Sequence, residues 1–256
     1  MGYPKTDLRR VLFLDIETAA LQPSYTDLPE DLKEHWKHKS RRHIHPEDYP
    51  YFDEDFDHLY QDKAAIYAEF GRVVCISVGI LANRAGDEAP SLHIKSFAHP
   101  EEYEILLALA DLLNEFYYDR HNQFICGHNI KEFDIPFICR RMMIHRIPLP
   151  NLLDIAGYKP WQTHHLLDTM DMWKYGDYKH YTSLDLLCSV LDVPSSKSEM
   201  TGADVSTAYW DGRIDDIVRY CEQDVVATVR VYQRCVGAEM VRSESIKHVH
   251  HQGEEE

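Results

Sequence analysis

VLFLDIET, residues 11–18, sets four apolar residues directly before the carboxylates of Asp15 and Glu17. A short, continuous apolar run suits a central strand covered on both faces. Alternate residues of a strand project from the same face, so Asp15 and Glu17 leave the strand end together. Burying such a pair is costly unless a cation neutralises it, and hard oxygen donors suit Mg²⁺ or Mn²⁺. Taken alone, D-I-E-T is equally compatible with Asp15 capping a turn.

Working outward, VVCISVGIL (73–81) and SLHIKSF (91–97) read as the next strands, joined by a turn from Asn83 to Pro90 that contains Gly86. EEYEILLALADLLNEFYYDR (101–120) repeats apolar residues at three- and four-residue spacing, which predicts an amphipathic helix. QFICG (123–127) is a short buried strand, FICRRMMIHR (137–146) continues as helix, and HLLDTM (165–170) reads as a last strand. SLDLLCSVLDV (183–193) and IDDIVRYCEQDVVATVRVYQRC (214–235) complete the pattern as helices. The order predicts an α/β fold, a mixed sheet flanked by helices.

The stretch 19–70 breaks this rhythm, being rich in Tyr, His, Asp, Glu and Lys with modest helical patterning near 28–38 and 55–68. It reads as an insertion between the first two strands, either a solvated excursion or a flap over the site, inside a single domain spanning 1–256. A polar tail is expected from about 243. With no apolar run of the roughly 20 residues a membrane helix needs, and no signal-peptide core at the start, the expectation is a cytoplasmic protein without a membrane partner. Six scattered cysteines, none in C-x-x-C pairs, read as reduced thiols. His43 and His45, His164 and His165, and His248, His250 and His251 lack the spacing of a zinc site and read as surface or core-edge groups. A net charge of −16 argues against bulk electrostatic grip on long nucleic acid. It leaves room for a site that handles one or two terminal nucleotides.

Two further segments concentrate chemistry. In GHNIKEFDIPFICRRM (127–142), Pro136 is tolerated only in a first helical turn, which fixes a helix start near Asp134. A carboxylate there faces the positive end of the helix dipole; a plain helix cap by Asp134 or Asn129 is the competing reading. In YCEQD (220–224), Tyr220 and Asp224 stand four residues apart on one helix face, beside an apolar stripe of Ile217, Cys221, Val225 and Val229. Such a pair is also an ordinary helix-surface contact.

Together and in this order, D-I-E, N-x-x-x-F-D and Y-x-x-x-D resemble the three exonuclease motifs of the DEDD superfamily, tyrosine subtype. HNIKEFDIPF is most similar to the proofreading exonuclease domain of family B DNA polymerases, and the resemblance runs from Val11 to about Tyr232. No polymerase domain accompanies it, so the expectation is a stand-alone enzyme. The resemblance implies a ribonuclease H-like fold with a mixed five-stranded sheet and a 3′→5′ exonuclease using two Mg²⁺ or Mn²⁺ ions. It implies that Asp15 bridges both ions, that Glu17 and Asp224 complete the site of the nucleophile-activating ion, and that Asp134 holds the other directly or through water. Tyr220 is then the residue that hydrogen-bonds the attacking water, and Asp168 supports the site without ligating.

The implied partner is nucleic acid with a free 3′ end, DNA favoured over RNA. An RNA-trimming or oligoribonucleotide-degrading enzyme of the same fold, and a non-catalytic nucleic-acid-binding module, are the alternatives. Thr18 and Ala19 are candidate backbone donors to the terminal nucleotide. Arg140, Arg141, Arg146, Lys174, Lys179 and His180 are candidate phosphate contacts, and Phe133, Tyr175 or Tyr178 candidate stacking groups.

Overall fold

The computed structural model describes residues 7–43, 52–82, 90–177, 181–194 and 200–249. The Asn83–Pro90 turn up to residue 89, His45, His250 and His251, and the candidate contacts Tyr178, Lys179 and His180 lie outside the described residues.

VLFL opens strand β1 (Val11–Ala20), which runs well past the acidic pair and is buried at every position but Asp15. β1 pairs antiparallel with β2 (Gly71–Ala82), which pairs antiparallel with β3 (Ser91–Phe97). On its other edge β1 is parallel to β4 (Phe124–Gly127), and β4 to β5 (Leu166–Asp168). The mixed sheet has six strands in the order β5-β4-β1-β2-β3-β6, one more than expected. The extra strand, β6 (Ile246–His248), joins the edge parallel to β3, within the stretch expected to be a polar tail. An edge strand half open to water needs no apolar run, so nothing in its composition announces it.

Alternation along β1 sorts its residues between the two faces. Leu12, Leu14 and Ile16 join Ile76 and Val78 in a core covered by α3 (Glu102–Phe116) and α4 (Asp134–Ile144). Val11 and Phe13 face the opposite way, against Val225, Val229 and Tyr232 of α8 (Ile214–Val236). Asp15 and Glu17 share that second face, so the fold carries them beneath α8. The β1–β2 ladder slips by one residue between Glu17 and Thr18, a bulge of the kind that re-aims side chains beside functional sites.

The insertion is neither solvated throughout nor without a core. Its α1 (Glu30–Ser40) and α2 (Asp53–Lys63) bring Trp36, Phe56 and Tyr60 together with Tyr25 and Phe70 in an apolar cluster of its own. Trp36 is completely buried and donates its indole N–H to the Phe56 carbonyl at 3.0 Å. The insertion starts later than expected, because β1 continues to Ala20 before Leu21 N–H bonds Phe70 O at 2.9 Å.

The last core strand is shorter than HLLDTM implied. The Asp168 carboxylate accepts from Met170 N at 2.9 Å and caps α5 (Thr169–Lys174), so the chain turns helical where the strand was expected to continue. The remaining α-helices among the described residues are α6 (Leu184–Val190) and α7 (Val205–Trp210). α8 ends at Gly237, whose φ of 69° is a left-handed cap that costs glycine little. Among the described residues no helix is long and apolar enough to cross a membrane.

Candidate active site

Asp15 and Glu17 project from β1 toward α8, and α8 meets them with Cys221. One ligand-type atom from each of these three side chains lies within 4.8 Å of the others. Cys221 Sγ donates to Asp15 O and to Asp15 Oδ2, each at 3.4 Å. One turn further along the helix stands Asp224, whose charge acts on both Asp15 and Glu17. Tyr220, four residues earlier on the same face, brings its phenol close enough to act on the Asp224 carboxylate.

Asp134 approaches from the other side. It is the first residue of α4, yet Phe133 occupies the cap position and the Asp134 side chain does not cap the helix. Its Oδ1 instead accepts the Ile16 backbone amide at 3.2 Å, crossing to β1 just beyond the stretch paired with β4. The loop ahead of α4 is braced by Asp168, which accepts from Asn129 N at 2.9 Å and Lys131 N at 3.1 Å. Asn129 sits in the left-handed region at φ 62°, a conformation Asn tolerates better than most residues. Gly127 allows the tight approach: a Cβ there would fall 2.9 Å from Leu14 O and closer still to the Ile130 side chain. His128 ties the same loop to its neighbours, with Nδ1 2.9 Å from Thr169 Oγ1 and Nε2 2.8 Å from Thr182 O. Burial lowers its proton affinity and favours the neutral ring.

The acids hold their protons unusually tightly. Burial, then the charges of Asp224, Glu17 and Asp134, drive Asp15 well above the ordinary carboxylate range. Glu17 is raised by burial, Asp224, Cys75 and Asp134. Burial lifts Asp134 to about 7, opposed by hydrogen bonds from its own amide and that of Ile16. Burial lifts Asp224 to about 6, opposed by the nearby Tyr220 phenol and assisted by Asp185. Burial and the same acids push the Tyr220 phenol far up, so it stays a neutral donor. Among the described residues, no basic side chain figures in the main influences on these four carboxylates. Acids gathered so closely that they raise one another form a donor set that a hard divalent cation fits.

Residues 66–253 match the family described as "Predicted 3'-5' exonuclease related to the exonuclease domain of PolB". The chain belongs to this family. A solved family B DNA polymerase from the hyperthermophilic archaeon Pyrobaculum calidifontis shares the fold, at a TM-score of 0.53 and 15% identity over 90% of this chain. The matched region is 26% of the polymerase, so the chain spans about a quarter of it. No curated protein matches the sequence.

In this PolB-exonuclease-related chain the acids quoted from the three sequence segments come together, while several supporting candidates go elsewhere. Arg141 is buried, its guanidinium bonded to Glu102 and to Ala68 O, and is no phosphate contact. Lys174 lies 3.9 Å from Glu132 and Arg146 sits at φ 58° just after α4. Thr18 and Ala19 lie within the β1–β2 ladder. Phe133 packs against Phe137 and the core, whereas Tyr175 is 91% exposed at φ 46°. Sequence reasoning assigned Cys221 to an apolar stripe and gave no role to His128, Cys75 or Asp185. Two of these had a signal: Cys221 lies inside YCEQD, and His128 directly follows the β4 strand.

Proposed function

We propose that this chain is a divalent-metal-dependent 3′→5′ exonuclease, releasing nucleoside monophosphates from a free 3′ end and favouring single-stranded DNA over RNA. The observation that carries this reading is the convergence of Asp15, Glu17, Asp134 and Asp224 from β1, α4 and α8 with raised proton affinities and, among the described residues, no basic partner. A binding module gains nothing from that arrangement, since uncompensated buried acids destabilise a fold.

These four carboxylates would hold Mg²⁺ or Mn²⁺, with Asp15 central between the others. When bound, a pair of such ions supplies Lewis acidity at the attacking water and at the leaving 3′ oxygen. The chain's own residues do the rest. Ile16 N–H and Cys221 S–H fix the Asp134 and Asp15 carboxylates before substrate arrives. Tyr220, kept neutral, presents an O–H able to orient the attacking water. Asp168 and His128 keep the α4 entry loop from drifting. Positioning of this kind matters because small misplacement of reacting groups costs large factors in rate.

The deciding experiment offers 5′-labelled single-stranded DNA, duplex DNA and RNA to the protein with Mg²⁺ or Mn²⁺, beside Asp15→Asn. The expected result is a ladder shortening from the 3′ end of single-stranded DNA, absent with EDTA and absent in the variant. Faster loss of RNA would transfer the substrate to RNA trimming. Metal-dependent binding without product would leave the non-catalytic module standing instead.

A further inference from the structure

Cys221 gives the carboxylate cluster a property that its acids alone do not have. The acids are hard oxygen donors, suited to Mg²⁺ and Mn²⁺, whereas a thiol is a soft donor that such ions use poorly and Zn²⁺ or Cd²⁺ use well. Cys221 Sγ is buried, points at Asp15, and lies within 4.8 Å of ligand atoms on both Asp15 and Glu17. Ligand atoms around one tetrahedral zinc-sized ion stand about 3.3–3.8 Å apart, given bonds of roughly 2.0–2.3 Å. Closing the cluster on an ion therefore needs only a small side-chain rotation.

Glu17 independently points to a cation. Its side chain is 7% exposed, is aimed into this cluster, and accepts no hydrogen bond from any described residue. A buried carboxylate without a partner is costly, and a cation at this point would relieve it. Cys75 stands directly opposite Glu17 in the β1–β2 ladder and shares an apolar cluster with Cys221, so a second thiol lies beside the acids.

We propose that the site also takes thiophilic divalent cations, Zn²⁺ or Cd²⁺, with Cys221 Sγ as a ligand beside Asp15 and Glu17, in competition with the harder ion. Binding replaces the S–H···Oδ2 contact with a sulfur–metal bond, and the thiol proton leaves to solvent. This rests on the reading of the cluster as a metal site and goes beyond it in naming a soft-ion mode.

Cd²⁺ is the probe, because thiolate coordination produces a near-ultraviolet charge-transfer band that carboxylates do not. Wild type should give the band, and excess Mn²⁺ should remove it. Cys221→Ser should lose it, with Cd²⁺ affinity falling by about tenfold or more, while Mn²⁺ still raises the melting temperature. Asp15→Asn, which keeps the thiol, should lose the band as well, and Cys235→Ser, which removes the one exposed thiol, should keep it. A band that survives Cys221→Ser or resists Mn²⁺ places Cd²⁺ on another thiol and overturns the proposal while leaving the carboxylate site intact. If neither Cd²⁺ nor Mn²⁺ shifts wild-type melting, the metal-site reading falls with it.

Discussion

The Ile16 amide and the Asp134 carboxylate meet at 3.2 Å, across 118 positions of sequence. The donor lies between Asp15 and Glu17, so the one bond fixes α4 against the acidic end of β1. A substitution that keeps the hydrogen bond but not the charge, Asp134→Asn, should therefore leave α4 in place. It should lower hydrolysis through the lost anionic donor, with a circular dichroism spectrum and melting curve close to wild type. Large unfolding in this variant would mean that the charge of Asp134, not its geometry, holds the helix.

Asp15→Asn and Asp224→Asn test the acids on β1 and α8. Each removes a ligand charge without adding bulk, so turnover should fall by about a thousandfold or more, several kcal/mol of barrier. Because both carboxyls are raised by burial, the neutral amide resembles the form the metal-free fold prefers. The variants should melt at or above wild type in EDTA, and near-wild-type turnover would remove these residues from the site.

Tyr220→Phe separates orientation from metal binding. Loss of one orienting hydrogen bond should slow turnover about ten- to a hundredfold, equivalent to about 1–3 kcal/mol, with metal-induced stabilisation retained. An unchanged rate would pass the orienting role to another group.

The metal-free protein should lose stability as pH rises. Asp224 and Asp134 titrate at about 6 and about 7 in the fold against an ordinary value of 3.8. Between those limits the folded state holds more protons than the unfolded one, so unfolding free energy falls with increasing pH. The contribution is fully present below pH 3.8 and lost as pH climbs through about 6 and about 7. Glu102, lowered despite burial by Arg141, acts in the opposite sense and weakens the fold as pH falls through its depressed value. Melting in EDTA should thus decline from about pH 5 to pH 8, and saturating Mn²⁺ should flatten that decline. A rise over the same interval would contradict the raised affinities.

Much of this site was legible because β1 and α8 follow simple periodicities. Alternation put Asp15 and Glu17 on one face, and helical spacing put Tyr220 near Asp224. Pro136 located the start of α4. What stayed hidden depends on contacts between segments remote in sequence. Arg141 looked like a surface cation until Glu102, 39 positions away, proved to bury it. β6 carries no apolar signature because its partner β3 supplies the packing, and the core of the insertion uses single aromatics spaced too widely to form a pattern.

A closed circle of single-stranded DNA should survive conditions that convert its linear form to mononucleotides. An internal cut requires a continuous strand to pass the acids in both directions and to be held by flanking phosphate contacts. The net charge of −16 offers little such grip. On the flap reading, the insertion would wall off one side. It leaves β1 three residues after Glu17 and returns at the paired start of β2, where Ala20 stands opposite Gly71. Its neck is closed by the Leu21–Phe70 hydrogen bond, and its interior is filled by Trp36 and Tyr60, ring centroids 5.3 Å apart. A block with its own core is a firmer obstruction than a solvated loop. Replacing the segment between Gln22 and Glu69 with a short Gly-Ser linker should raise cutting of the circle relative to the linear strand. If the intact protein already cuts circles at a comparable rate, the cleft is open at both ends, and the exonuclease assignment fails together with the role of the insertion as its wall.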